Sequence, residues 1–265
     1  MAKARPKRPQ QTEMPLLPSG RGGWRPGAGR KPKPVARVLH RRRGEIPAHC
    51  PVHVTVRLRR GIPSLRRGRF VRAFRQSLCW CSLRAGFRVV HYSIQKNHLH
   101  FLIEAQSHAV LGRGMKSLSA RIGRCVNRVF ARAGRVLDGR YHHRVLSTPR
   151  EVRHALAYVL LNARHHYYER YRRPPPVVEL DQASSAIWFD GWKQPRPPPG
   201  RSTAGPDDTR ANAASRMIRE TAAPRSWLLR RGWRRHRLID LAEVPGAAGE
   251  FDTPLGCNAG RLPAR

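Results

Sequence analysis

The chain predicts an α+β fold, a ferredoxin-like antiparallel sheet with helices followed by an extra helix. Three observations carry that expectation. Several short segments alternate with period two, two longer ones are amphipathic with period 3.6, and they follow one another as β-α-β-β-α-β-α. Val52-His-Val-Thr-Val-Arg-Leu58 alternates and is rich in β-branched residues, so it reads as the first strand, ended by Gly61 and Pro63. A helix is expected over about 65–84, with Phe70, Phe74, Leu78 and Cys81 on one face and arginines on the other. Phe87 to Ile94 and His98 to Glu104 read as two strands joined by the short turn Gln95-Lys-Asn97, hence a hairpin.

A long helix is expected over about 108–132, its apolar stripe made by Leu111, Met115, Leu118, Ile122, Cys125, Val126 and Val129. Tyr141 to Leu146 reads as the fourth strand. Thr148-Pro-Arg-Glu151 has the form of a capped helix start, with Thr148 as N-cap, Pro149 at the first helical position and Glu151 three residues after the cap. That last helix is expected to run to about His166, with Val152, Leu156, Val159 and Ala163 as its stripe.

Around this core, 49–171, the composition changes. Residues 1–48 are rich in Pro, Gly and Arg without apolar period and read as a disordered basic arm. Inside it, Arg25-Pro-Gly-Ala-Gly-Arg30-Lys31-Pro32 loosely resembles an AT-hook, with Arg25, Arg30 and Lys31 as its cations. Residues 172–265 read as a Pro-rich, partly disordered extension. It carries two tryptophan islands, Ile187 to Trp192 and Trp227 to Trp233, expected to dock on the domain or to contact DNA.

Charge names the partner class. Lys and Arg number 53 against 16 Asp and Glu, a net charge of +37, and before position 150 the acids are Glu13, Glu45, Glu104 and Asp138 alone. A compact chain with that much self-repulsion fits a polyanion, so nucleic acid is the expected partner. Arg72, Arg75, Arg113, Lys116, Arg124 and Arg128, on the polar faces of the two helices, are the candidate phosphate contacts. A membrane-spanning run of about 18 apolar residues is absent. The charged start Met1-Ala-Lys-Ala-Arg5 leads into prolines, so no secretory signal is expected. Five cysteines make no even disulfide framework and point to a reducing, cytoplasmic setting. Cys79 and Cys81 are expected as buried thiols rather than a zinc site.

Two local patterns bear on chemistry. His98 and His100 lie two apart on an expected strand, so both imidazoles project from one face and can meet one metal ion. In the last helix, Tyr158 and Asn162 stand one turn apart beside the apolar stripe, and a tyrosine phenol can act as a nucleophile.

Together these strings resemble the single-tyrosine HUH transposases, in particular the REP-associated type. Tyr92-Ser-Ile-Gln-Lys-Asn-His98-Leu-His100-Phe-Leu resembles that family's Tyr-x-x-Met-Pro-Asn-His-x-His-x-Leu. Ala157-Tyr158-Val-Leu-Leu-Asn162 resembles its tyrosine helix, Tyr-x-x-x-Asn-Pro, and Gly139 to Leu146 fits the segment before that helix. Lys96 and Ala163 stand where the family usually has proline. The resemblance covers about 51–168. It implies Tyr158 as the nucleophile forming a 5′-phosphotyrosine, and Mg²⁺ or Mn²⁺ held by His98, His100 and Asn162. It also implies single-stranded or hairpin DNA as substrate, a monomer or homodimer, and a bacterial, nucleoid-associated protein. His91, His142 and His143 are further candidates for phosphate contact. Two other readings compete: a relaxase or replication initiator, and a non-catalytic RRM-like module binding bases on its sheet.

Overall fold

Alternation along the two central strands decides where every other element packs. In the computed structural model, which describes residues 44–194 and 219–246, β1 (Val52–Arg57) pairs antiparallel with β4 (His98–Ala105). On one side of that pair Val52, Val54 and Val56 join Leu99, Phe101 and Ile103. Over them lie α1 (Gly68–Cys79), through Phe70, Phe74 and Leu78, and α2 (His108–Val129), through Leu111, Met115, Leu118 and Ile122. On the other side Leu102 packs with Val152, Leu156 and Val159 of α3 (Pro149–Leu160). The intervening residues of β1 and β4 therefore lie on the α3 side, among them His53, Thr55, His98 and His100.

The sheet is completed by β2 (Leu83–Arg84), β3 (Phe87–Ile94) and β5 (His142–Val145), in the order β2-β3-β4-β1-β5 with every pairing antiparallel. Without β2 this is the expected ferredoxin-like order. β2 is two residues long, too short for a period, and so left no pattern in the sequence. It turns into β3 through Gly86, whose φ of +73° favours glycine. A bulge between Val89 and His91 shifts the parity of β3, so Val89 and Tyr92 share the first core while Val90 enters the second.

Helix boundaries differ by about three residues at the start of α1 (Gly68) and the end of α2 (Val129), and by more in two places. α1 ends at Cys79 rather than near 84, which leaves Cys79 exposed and Trp80 78% exposed, whereas Cys81 is buried as expected. The last helix breaks at Leu161, giving α3 and a separate α4 (Asn162–Tyr171). Its start is as read from the sequence. Thr148 Oγ1 accepts from the Glu151 amide at 3.2 Å, and Glu151 Oε2 accepts from the Thr148 amide at 3.2 Å. Burial acts to raise the Glu151 pKa, but the Arg144 guanidinium and the Ser147 and Thr148 donors outweigh it and hold the carboxyl at about 2.

Both tryptophan islands dock on α3. Phe189, Trp192, Leu228, Leu229 and Trp233 belong to its core. Gly191 makes the contact possible, since a Cβ there would sit 2.1 Å from the Trp233 ring. Ahead of the second island, the buried Glu220 accepts from Tyr92 Oη at 2.6 Å, Trp188 Nε1 at 2.6 Å and Arg75 Nε at 3.0 Å. The free edge of β3 is also covered: Ala222 N donates to Val89 O, Ser185 N to Tyr92 O and Ile94 N to Ala183 O. Both faces of the sheet are thus occupied, one by α1 and α2 and the other by α3 and the islands. No helix among the described residues is long and apolar enough to cross a membrane.

Glu220→Ala removes the acceptor shared by three donors. It should lower stability by about 2 kcal/mol, read as a shift in the urea midpoint. An unchanged midpoint would show that residues 219–246 are not part of the folded unit.

Candidate active site

The cross-strand register brings the polar groups of the α3 face together. His100 lies opposite Thr55 on β1 and Ser93 on β3, and His98 opposite Arg57. His100 Nδ1 is 3.1 Å from Thr55 Oγ1 and 3.1 Å from His53 Nε2, and the His53 and His100 rings stack at 5.2 Å. His98 Nδ1 donates to Asn97 Oδ1 at 2.9 Å, which fixes the tautomer and leaves Nε2 with its lone pair. The two rings of the motif meet edge to face at 4.7 Å.

Burial keeps these imidazoles neutral. It lowers His98 to about 4, with the neighbouring His166 and Arg57 charges adding to the effect, and lowers His53 to about 4, aided by Arg144. His100, 1% exposed, is pushed well down by burial and by the surrounding histidines. A neutral imidazole is the form that ligates a metal.

α3 places Tyr158 over this cluster. Its ring stands 5.2 Å from His100 and 5.9 Å from His53, edge to face in both cases, and 5.3 Å from His165. Tyr158 is half-buried, so its ring is seated against protein while remaining within reach of solvent. Asn162 follows at the first position of α4 and is fully buried. The break at Leu161 falls between the two, so their shared flank does not rest on one continuous helix.

Three buried polar atoms here lack a hydrogen-bond partner among the described residues: His100 Nε2 and both Oδ1 and Nδ2 of Asn162. Buried polar atoms are nearly always satisfied, so unsatisfied ones mark a place for another group. An imidazole nitrogen and an amide oxygen are donors a divalent ion accepts. By donor chemistry the residues present fit a metal.

Other groups around the site carried no sequence pattern. His53 and Thr55 read simply as alternating strand residues. His165, His166 and Glu169 lay at or beyond the expected end of the helix, yet α4 sets His166 5.8 Å from His98. His91 is buried against Phe189, with Nδ1 3.2 Å from Ser185 Oγ, and belongs to the core. His142 is exposed on β5, and His143 lies beside Tyr141 and His108.

The basic residues divide. Arg72, Arg113, Lys116, Arg124 and Arg128 are exposed on α1 and α2, across the sheet from Tyr158. Lys116, with Arg57 and Arg140, lines a cleft of about 340 Å³ beside α2. Arg75 is instead held internally by Glu220 and Tyr92. Arg25, Arg30 and Lys31 lie outside the described residues.

No protein-family model and no curated protein matches the chain. Among solved structures it is similar to a REP-associated tyrosine transposase bound to a REP hairpin, with a TM-score of 0.39 and 14% identity. That likeness covers 48% of this chain and 73% of the other.

His91 provides a pH test of the core behind the site. Burial and the Arg219 charge lower its pKa to about 3, against an ordinary 6.5. Between those values the unfolded chain binds the extra proton, so stability should rise with pH from about 3 to 6.5. His91→Gln should flatten that slope by up to one proton in urea titrations run across this range. A wild-type slope unchanged by the substitution would contradict the neutral buried ring.

Proposed function

We propose that this protein is a DNA strand transferase of the single-tyrosine HUH type, which cuts single-stranded or hairpin DNA through a covalent link to Tyr158. The observation that carries the reading is the seat of Tyr158 over the paired strand histidines, its ring 5.2 Å from that of His100. The two motifs are 58 positions apart by number, His100 against Tyr158, and the closeness of their rings supports the reading.

In the reaction, a bond forms from Tyr158 Oη to the scissile phosphorus as the phenol proton departs. The bond from phosphorus to the 3′ oxygen breaks, and that oxygen takes up a proton as the released 3′-OH. The product is a 5′-phosphotyrosine. Attack by another 3′-OH reverses the step and joins new ends, because the phosphodiester bond is exchanged rather than hydrolysed. His98, His100 and Asn162 would hold Mg²⁺ or Mn²⁺, whose part is Lewis-acid chemistry on the phosphate. The neutral state of both imidazoles and the unsatisfied atoms of His100 and Asn162 support that assignment. Asn97 would keep His98 Nε2 available, and Thr55 with His53 would orient His100.

Arg72, Arg113, Lys116, Arg124 and Arg128 would hold flanking phosphates away from the cut, since they lie across the sheet. Residues 1–48, with Arg25, Arg30 and Lys31, would add a salt-dependent arm. The RRM-like reading needs an open sheet face for stacked bases, and both faces are covered by helices.

Full-length protein incubated with a labelled hairpin oligonucleotide and Mn²⁺ should give a covalent adduct that survives denaturation. Tyr158→Phe should abolish it. His98→Ala with His100→Ala should reduce cleavage at least about 100-fold, while salt-dependent DNA binding stays near wild type. Persistence of the adduct in Tyr158→Phe would remove the nucleophile from this reading.

A further inference from the structure

We propose a second metal site, on α4, in which His165, His166 and Glu169 bind a borderline transition ion such as Zn²⁺. Their ligating atoms all lie within 4.8 Å of one another. The helix explains the convergence: Glu169 is four residues after His165 and three after His166, the two spacings that make helical neighbours. It lies against both, with Oε1 3.3 Å from His165 Nε2 and Oε2 hydrogen-bonded to His166 Nδ1 at 2.7 Å.

An ordinary surface ion pair would show the same short contacts, so the decisive observation is the other side of the His165 ring. Its Nδ1 lies 2.7 Å from the backbone oxygen of Pro245. A carbonyl oxygen only accepts, so Nδ1 carries the proton and, in the neutral ring, Nε2 presents a lone pair. Nε2 then lies 3.3 Å from a carboxylate oxygen, one acceptor close to another. A proton or a metal ion between the two would relieve that contact. A backbone carbonyl behind an imidazole is also the usual device that orients a metal-binding histidine. The ring is 16% exposed, walled by the segment that carries Pro245 and by Tyr158 at 5.3 Å.

Two imidazoles and one carboxylate form a donor set that takes Zn²⁺ and its neighbours and leaves a coordination position open. Mg²⁺, which prefers oxygen ligands, is disfavoured. The site adjoins the paired strand histidines, with His166 beside His98, but shares no donor with them. It therefore stands whether or not Tyr158 attacks DNA.

The test is Zn²⁺ and Co²⁺ titration of the full-length protein by calorimetry and visible absorption, with excess Mg²⁺ present. His98→Gln with His100→Gln should retain one Zn²⁺ site that Mg²⁺ does not displace. His166→Asn with Glu169→Gln, both at exposed or half-exposed positions, should weaken that site at least about tenfold, with circular dichroism unchanged. Equal Zn²⁺ affinity in the α4 variant would overturn the proposal and leave a proton as the cation. Loss of all Zn²⁺ binding in the His98, His100 variant would overturn it too, by assigning the metal to the strand pair.

Discussion

The period-two alternation of β4 is the constraint on which the rest of the molecule depends. Leu99, Phe101 and Ile103 fill the core beneath α1 and α2, which leaves His98, His100 and Leu102 no choice but the opposite face. A slip of one residue would bury the imidazoles among phenylalanines and turn Leu99, Phe101 and Ile103 toward α3. The apolar packing that holds the sheet together is thus the same interaction that aims the two rings at α3.

Everything on that second face then serves to hold α3 in place. The capping box at Thr148 and Glu151 starts the helix, and Leu102 and Val90 receive its stripe. Beyond it the tryptophan islands close the back: Glu243 pairs with the buried Arg153, and Trp233 fills the space Gly191 leaves. The same segment reaches α4, where the backbone oxygens of Ala242, Glu243 and Pro245 accept from Arg164 and His165. Residues 219–246 therefore brace both helices that carry the site, although none of their side chains is proposed to react.

Much of this was legible in the sequence because it rests on local period. β3 was read at its observed bounds and α2 starts where expected, since long amphipathic stripes and short alternating runs announce themselves. The pairing of His98 with His100 and the position of Tyr158 followed from two residue patterns. What escaped depends on three dimensions. β2 has no room for a period, the break at Leu161 lies in a run without Gly or Pro to mark it, and His53 and Thr55 matter only because β1 pairs with β4 in that register. Arg75 was read as a phosphate contact from its polar face; its partner Glu220 is distant in sequence. The cluster on α4 was hidden for the same reason, as it needs Pro245 to fix a ring 80 residues away.

The central claim is that α3 holds one particular phenol over the strand histidines for attack on DNA. Protease digestion of a trapped protein–oligonucleotide adduct, followed by mass spectrometry of the modified peptide, tests it most directly. The account predicts a phosphonucleotide mass on the peptide bearing Tyr158, with fragment ions placing it on that residue. A nucleotide mapped instead to Tyr167, Tyr168, Tyr171 or any histidine would contradict it.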